Sequence, residues 1–243
     1  MSNEGPVRIF LGTCCYRTIE PATAGSRERL LWSSAQAEWD GPRMVGAADV
    51  RVEGERLESW RSADVEIVGV GMAEGYGACR NAEDLAAGAM SAGADLLVYH
   101  DADMAFSTTD VLSLCTFWDE LGPKAIVGTL YPSSKWPDRY VGRLEGVGLD
   151  ADRTEGTPRA TVDALAPGAY AAEALGFGLV ALPVALLAEL RQQRGFAFAE
   201  AWRGRDGTTP DTEMCAAARL LGYSLVADLR ARPRHLVRDW RSV

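Results

Sequence analysis

The sequence predicts an α/β fold, with a central, mostly parallel sheet, flanking helices and a smaller mixed sheet in the second half. Three observations carry this. Apolar runs of strand length recur at 7–11, 65–70, 96–100 and 125–130, and unbroken apolar runs mark strands buried on both faces. A helical repeat over 81–92 sets Leu85, Ala86, Ala89 and Met90 on one face. Strand, loop, helix and strand follow one another within about thirty residues, which is a crossover unit and makes the joined strands parallel.

In chain order, residues 7–11 form a first, central strand that Gly12 ends. Residues 25–39 read as a helix with Leu30, Leu31, Ser34 and Ala35 towards the core, and 41–60 has a mixed pattern. The strand at 65–70 runs into a glycine-rich loop at 71–77. The helix at 81–92 stops at Gly93, and the strand at 96–100 leads directly to Asp101. A helix follows over 109–121, then the strand at 125–130.

The middle third changes character. Residues 131–138 form a proline-punctuated loop, 140–146 are strand-like, and 149–160 predict a charged, mobile loop. A strand over 173–182 contains Gly176 and Gly178, and Pro183 opens a helix carrying Val184, Leu187 and Leu190. Residues 200–211 are polar. Asp211 or Thr212 can cap the helix in which Met214, Ala217, Ala218 and Leu221 repeat. Gly222 stops it, 223–227 form a last strand, and a basic tail holds His235.

Composition excludes several function classes. The 243 residues are 47% hydrophobic and 24% charged, the profile of an ordinary globular domain. A net charge of -9 argues against non-specific nucleic-acid binding. No apolar run reaches the length of a membrane span, and the apolar stretch after residues 1–6 is too short for a secretory signal. The five cysteines, Cys14, Cys15, Cys79, Cys115 and Cys215, have neither C-x-x-C nor zinc spacing. They read as reduced thiols of a cytoplasmic protein.

Chemistry concentrates at Asp101 and Asp103. They stand at the carboxyl end of a buried strand, where open α/β sheets place ligands. Two residues apart in extended chain, they face one side. Carboxylates so placed repel and call for a cation, Mg2+ or Mn2+, which keeps positions for phosphate oxygens. The plain alternative is a polar turn after a strand. His100 alternates to the opposite face and reads as a buried, hydrogen-bonded histidine. Arg80 and Asn81 open a helix, so either the helix N-terminus and the guanidinium attract phosphate, or Asn81 is a cap and Arg80 a surface charge. His235 lies in a tail that can return to the metal or stay solvated.

Arg80-Asn81, the run 93–103 ending in Asp101-Ala102-Asp103, the run 176–180 beginning Gly176-Phe177-Gly178, and then Asp211, Gly222-Tyr223, Asp228 and His235 resemble, in order and spacing, the GT-A-fold glycosyltransferases. The resemblance spans roughly residues 7 to 235. It implies one Rossmann-like GT-A domain over 1–243, with about 7–105 binding a nucleotide-sugar and about 106–235 supplying the acceptor side and a metal-binding C-terminal segment. It implies Asp103 as main metal ligand, Asp101 on the metal or the ribose, and His235 completing the coordination of Mn2+ or Mg2+. Arg80 would touch the nucleotide or its phosphates and Thr13 would lie near the base.

Asp211 matches the acidic residue that serves inverting members as general base. The family commonly has Glu-Asp there and this chain has Pro210-Asp211, so Asp211 is either that base or a helix cap. The implied partners are a UDP- or GDP-sugar and an acceptor the sequence does not specify. Trp136 and Trp202, in loops that can close over the donor, are candidates to stack on a sugar. A nucleotidyltransferase on a related fold would use the same metal chemistry and release pyrophosphate. A silent nucleotide-sugar-binding module would retain the residues without turnover. A haloacid-dehalogenase-like phosphotransferase places its D-x-D near the N-terminus and follows it with Thr or Val, where this chain has Met104 and Ala105.

Overall fold

The computed structural model describes residues 5–15, 23–26, 65–74, 78–133, 136, 138–146, 156–198 and 209–236. Residues 23–26 are helical, at the start of the helix expected over 25–39; the rest of that helix, 41–60, most of 149–160 and the part of the 200–211 loop up to 208, with Trp202, lie outside the described residues.

One eight-stranded sheet organises the chain, in the order β2-β1-β3-β11-β5-β12-β10-β8. Its strands are β1 (Val7–Cys15), β2 (Val65–Glu74), β3 (Leu96–Asp101), β5 (Ala125–Thr129), β8 (Arg143–Leu144), β10 (Ala169–Ala174), β11 (Leu179–Pro183) and β12 (Ser224–Asp228). β1 is parallel to β2 and β3, and β12 to β5. β11 runs antiparallel between β3 and β5, and β10 antiparallel between β12 and β8. The predicted mostly parallel sheet is present, with the antiparallel strands confined to the second half of the chain. Short pairs complete it: β4 (Met104–Ala105) with β13 (Arg234–His235), and β7 (Arg139–Val141) between β6 (Tyr131–Pro132) and β9 (Thr157–Pro158).

Helices cover both faces. The strands are apolar on both sides, so alternate residues enter two cores. Phe10, Cys14, Leu97 and Tyr99 pack with helices α1 (Ala78–Ser91), α4 (Val184–Arg194) and α5 (Pro210–Leu220). Ile9, Leu11, Leu96 and Val98 pack on the other face with α2 (Thr108–Leu121). α2 starts at a capping box in which Ser107 accepts from the Asp110 N–H and Asp110 accepts from that of Ser107. A short helix, α3 (Arg159–Asp163), follows β9. Among the described residues no helix is long and apolar enough to cross a membrane.

Several boundaries differ from expectation, and close packing explains most of them. β1 continues through Gly12 to Cys15, and β2 takes in 71–74, where a loop is predicted. Gly69 and Gly71 lie beneath the ring of Phe10: a Cβ would approach it to 2.6 Å and 2.8 Å respectively. Glycine here makes room for an aromatic ring and does not break the strand. The strand predicted over 173–182 is two strands, because Gly176 and Gly178 lie between β10 and β11. The residues at 140–146 also divide, at Gly142, whose φ of 104° favours glycine. The predicted last strand, 223–227, begins and ends one residue later, and β13 follows it.

Candidate functional site

Three parallel strands bring their carboxyl ends to one edge. β1 ends at Cys15, β2 at Glu74 and β3 at Asp101, with Cys14 opposite Asp101 and Cys15 opposite Glu74. Open α/β sheets bind ligands at this edge.

Asp101 is the last residue of β3, and 102–103 form a turn. The extended geometry predicted for the acidic pair therefore stops at its first member. The turn is fixed by the Ala102 N–H donating to the Cys14 carbonyl (2.9 Å) and the Leu236 N–H donating to that of Asp103 (2.8 Å). Burial pushes the Asp101 carboxyl up to about 8, and the nearby Asp103 carboxylate adds to the shift. The Tyr99 hydroxyl opposes it, donating to Asp101 Oδ1 at 3.3 Å.

The tail returns to this turn. In the β13–β4 pair, Arg234 lies opposite Ala105 and His235 opposite Met104. His235 Nε2 is 3.2 Å from Asp103 Oδ2, and its Nδ1 is 3.3 Å from the Pro132 carbonyl. A carbonyl only accepts, so Nδ1 carries a hydrogen and donates. Nε2 then meets a carboxylate oxygen, a contact that needs a proton or a metal ion between the two atoms. The hydrogen bond to Asp103 raises the pKa of the imidazole, outweighing burial.

A ring fixed through Nδ1 by a backbone carbonyl is the outer-shell arrangement of metal-ligating histidines. The carboxylates suit Mn2+ or Mg2+ in kind, and the imidazole is the softer donor beside them. Among the described residues, however, no three His, Cys, Asp or Glu side chains converge as a metal site. Asp103 and His235 are a pair, with Asp101 adjoining.

His100 is buried and points to the opposite face, as its alternation predicts. Its Nδ1 donates to the Asp101 carbonyl (3.1 Å), and the Thr13 hydroxyl lies 2.9 Å from its Nε2. Thr13, expected beside a nucleobase, is itself fully buried, and its hydroxyl contacts this ring.

Beside Asp101 opens a cavity of about 160 Å³, whose lining includes Tyr99, Asp101, Tyr131, Phe177, Phe198 and Asp211. Asp211 is the second residue of α5. The N-cap is Thr209, so neither Asp211 nor Thr212 holds the predicted capping position. The Asp211 carboxylate accepts from the Thr209 hydroxyl and from the Thr212 N–H (2.9 Å), and burial raises its pKa. It is not the cap, but its carboxylate engages the first turn of α5 and lines the cavity. A broader depression at Arg143, Glu173, Arg219 and Leu220 contains none of the acidic residues of the sheet edge.

Arg80 and Asn81 are placed differently from expectation. α1 begins at Ala78, so Asn81 is no cap: it is buried, and its Nδ2 donates to the Cys15 carbonyl at 3.1 Å. Arg80 is exposed in the first turn, 3.8 Å from Asp84, and does not line the cavity. Trp136 is at the surface and does not line it either.

Tyr131 and Phe198, which carry no motif in the sequence, join Phe177 of the Gly-Phe-Gly run around the site. Tyr131 fits over Gly176 and Gly178, where a Cβ would approach its side chain to 2.7 Å and 2.6 Å respectively, and its hydroxyl accepts from the Gly178 N–H at 3.0 Å. Its ring meets that of His235 edge-on, 5.5 Å between centroids. Phe177 and Phe198 pack on Tyr99. The Gly-Phe-Gly triplet was the available signal, since paired glycines beside an aromatic mark a close approach.

No family model matches the sequence, and no curated protein is significantly similar to it. Solved structures are similar in fold. The crystal structure of GalNAc-T7 with UDP, GalNAc and Mn2+ matches with a TM-score of 0.56 and 13% identity, over 97% of this chain and 45% of that one. This chain thus spans less than half the length of that protein. The crystal structure of A197 from STIV matches with a TM-score of 0.53 and 11% identity, over 95% of this chain and 86% of that one. At such identities the likeness is one of fold, and the mixed α/β sheet with flanking helices is similar to the GT-A glycosyltransferase fold.

Proposed function

We propose that this chain is a metal-dependent glycosyltransferase, which moves a sugar from a UDP- or GDP-sugar to an acceptor hydroxyl through one GT-A-type domain. The observation that carries the reading is the axis from the Pro132 carbonyl through the His235 ring to Asp103, beside a cavity that Asp101 and Asp211 both line. The similarity of fold to a protein solved with UDP, GalNAc and Mn2+ supports the class of donor and metal.

Asp103 and His235 would hold Mn2+ or Mg2+, with Asp101 beside them. When bound, the ion supplies positive charge against the diphosphate that leaves the sugar. Arg80, in the first turn of α1, offers a guanidinium to the phosphates. Tyr99 holds the Asp101 carboxylate through its hydroxyl. Thr13 acts at one remove, orienting the His100 ring whose Nδ1 grips the Asp101 carbonyl. Asp211 takes the acceptor hydroxyl's proton as that oxygen bonds to the anomeric carbon and the bond from carbon to phosphate oxygen breaks. Its raised pKa makes it a stronger base than an exposed carboxylate.

The test is a panel of UDP- and GDP-sugars with Mn2+, scored for release of nucleoside diphosphate. Release from one donor, lost on chelation, is the expected result. Pyrophosphate release from a nucleoside triphosphate would favour a nucleotidyltransferase instead.

A further inference from the structure

The turn between α4 and the next segment is gripped by two opposite charges. Glu83 of α1 directs one carboxylate oxygen at the successive N–H groups of Ala197 and Phe198. Its other oxygen accepts from Arg191 Nε at 2.9 Å. From the other side Arg194 donates to the carbonyls of Phe196 (3.1 Å) and Ala197 (2.5 Å), and reaches Glu213 of α5 at 2.5 Å. A carboxylate accepting two adjacent amides fixes the direction of the next side chain. Here that side chain is Phe198, 2% exposed and part of the cavity wall.

Phe198 closes a triangle with Tyr99 and Phe177. The centroid separations are 6.3, 6.2 and 6.1 Å, two contacts edge-on and one stacked. Each ring touches the other two, so together they form one continuous apolar wall. A cage for an organic cation needs its rings spread around a central point, and these are not. Asp101 and Asp211, on the same cavity, are hydrogen-bond acceptors. An apolar surface beside two acceptors matches a pyranose ring, which has a C–H face and a hydroxyl rim. At about 160 Å³, the space is below the few hundred Å³ of pockets that enclose a drug-sized ligand, which suits one ring and not a whole nucleotide-sugar.

We infer that Phe198 is a specificity-determining residue that stacks on a pyranose ring, and that Glu83 is the positioning residue that holds it there. The inference rests on the glycosyltransferase reading and adds to it the element that distinguishes a nucleotide-sugar from its nucleotide.

The test measures binding with Mn2+ by calorimetry, for UDP, GDP, UDP-glucose, UDP-N-acetylglucosamine and GDP-mannose, to the parent, F198A, F198L, E83A and E83Q. The parent should bind one nucleotide-sugar more tightly than its nucleoside diphosphate. F198A, F198L and E83A should weaken that nucleotide-sugar about tenfold and leave the diphosphate within about twofold. E83Q should retain parental binding, because its amide oxygen still accepts both N–H groups although the Arg191 ion pair is lost. Equal losses for sugar and diphosphate, or none, would overturn the inference. So would a parent that binds the diphosphate as tightly as every nucleotide-sugar, and this outcome would leave the glycosyltransferase reading standing. A parent that binds no nucleotide at all would overturn both. Methyl glucoside and methyl mannoside titrated with UDP and Mn2+ separate the sources: binding that F198A abolishes, with nucleotide-sugar binding unchanged, puts the ring on the acceptor and overturns the donor assignment. Phe198-dependent binding of choline would overturn it in favour of a cation.

Discussion

His235 Nε2 lies 3.2 Å from Asp103 Oδ2, joining residues 132 positions apart in sequence. The relationship depends on a ring already fixed at its other nitrogen by the Pro132 carbonyl. Replacing His235 by Ala should therefore lower Mn2+ affinity by about ten- to a hundredfold, the usual cost of disturbing such a site. Calorimetric titration of Mn2+ checks this, and equal affinities in the two proteins would remove His235 from the metal.

The metal-free site is predicted to hold extra protons. Asp101 is pushed up to about 8 and His235 is raised through its bond to Asp103. Groups with raised pKa values stabilise the folded state fully below their unfolded values, and that contribution is lost as pH rises through the folded ones. For Asp101 the window runs from the ordinary carboxyl value of 3.8 to about 8. The metal-free protein should accordingly melt lower as pH climbs through this range, and Asp101→Asn should melt higher than the parent at alkaline pH. Metal must displace these protons, so the rise in Tm caused by Mn2+ should grow between pH 6 and pH 8.5. A Mn2+ effect that shrinks with pH would contradict the protonation scheme.

Asp211 lines the cavity and also engages the first turn of α5, and its two roles separate by substitution. Asp211→Asn keeps an oxygen for the Thr212 N–H but loses the base. Turnover should fall by about 10²–10⁴ while donor binding stays within about twofold. Parental turnover with a lowered Tm would make the residue structural.

The sheet edge was legible because buried parallel strands are unbroken apolar runs and the acidic pair ends one of them. The placement of His100 also followed, since two-residue alternation carries Tyr99 and Asp101 to one face and His100 to the other. Glycines misled where they serve packing. Gly12 and Gly71 read as breaks, yet they lie within strands, against Leu97 and Phe10, whereas Gly176 and Gly178 read as part of one strand and instead separate β10 from β11, facing Tyr131. The aromatic wall escaped notice because its members come from β3, the turn before β11 and the turn after α4, which only the tertiary fold brings together. Arg80 does lie in the first turn of α1, but Asn81, which resembles a cap, lies inside the helix and anchors it to β1.

The same packing predicts a stability effect. The Phe10 ring is enclosed by Gly69, Gly71 and Gly88, each too close to it for a Cβ. With the ring held between three glycine backbones, an added methyl must displace it. Gly71→Ala should cost about 1–3 kcal/mol, the usual range for overpacking a core, read from urea unfolding. An unchanged midpoint would show that the ring adapts.

The most direct measurement is Mn2+-dependent release of nucleoside diphosphate from the UDP- and GDP-sugar panel, comparing the parent with Asp103→Ala. The expected result is release from at least one donor by the parent and none by Asp103→Ala, with both proteins showing the same circular dichroism. Equal release by the two proteins would contradict a metal site at Asp103, and no release or binding of any donor by the parent would contradict sugar transfer itself.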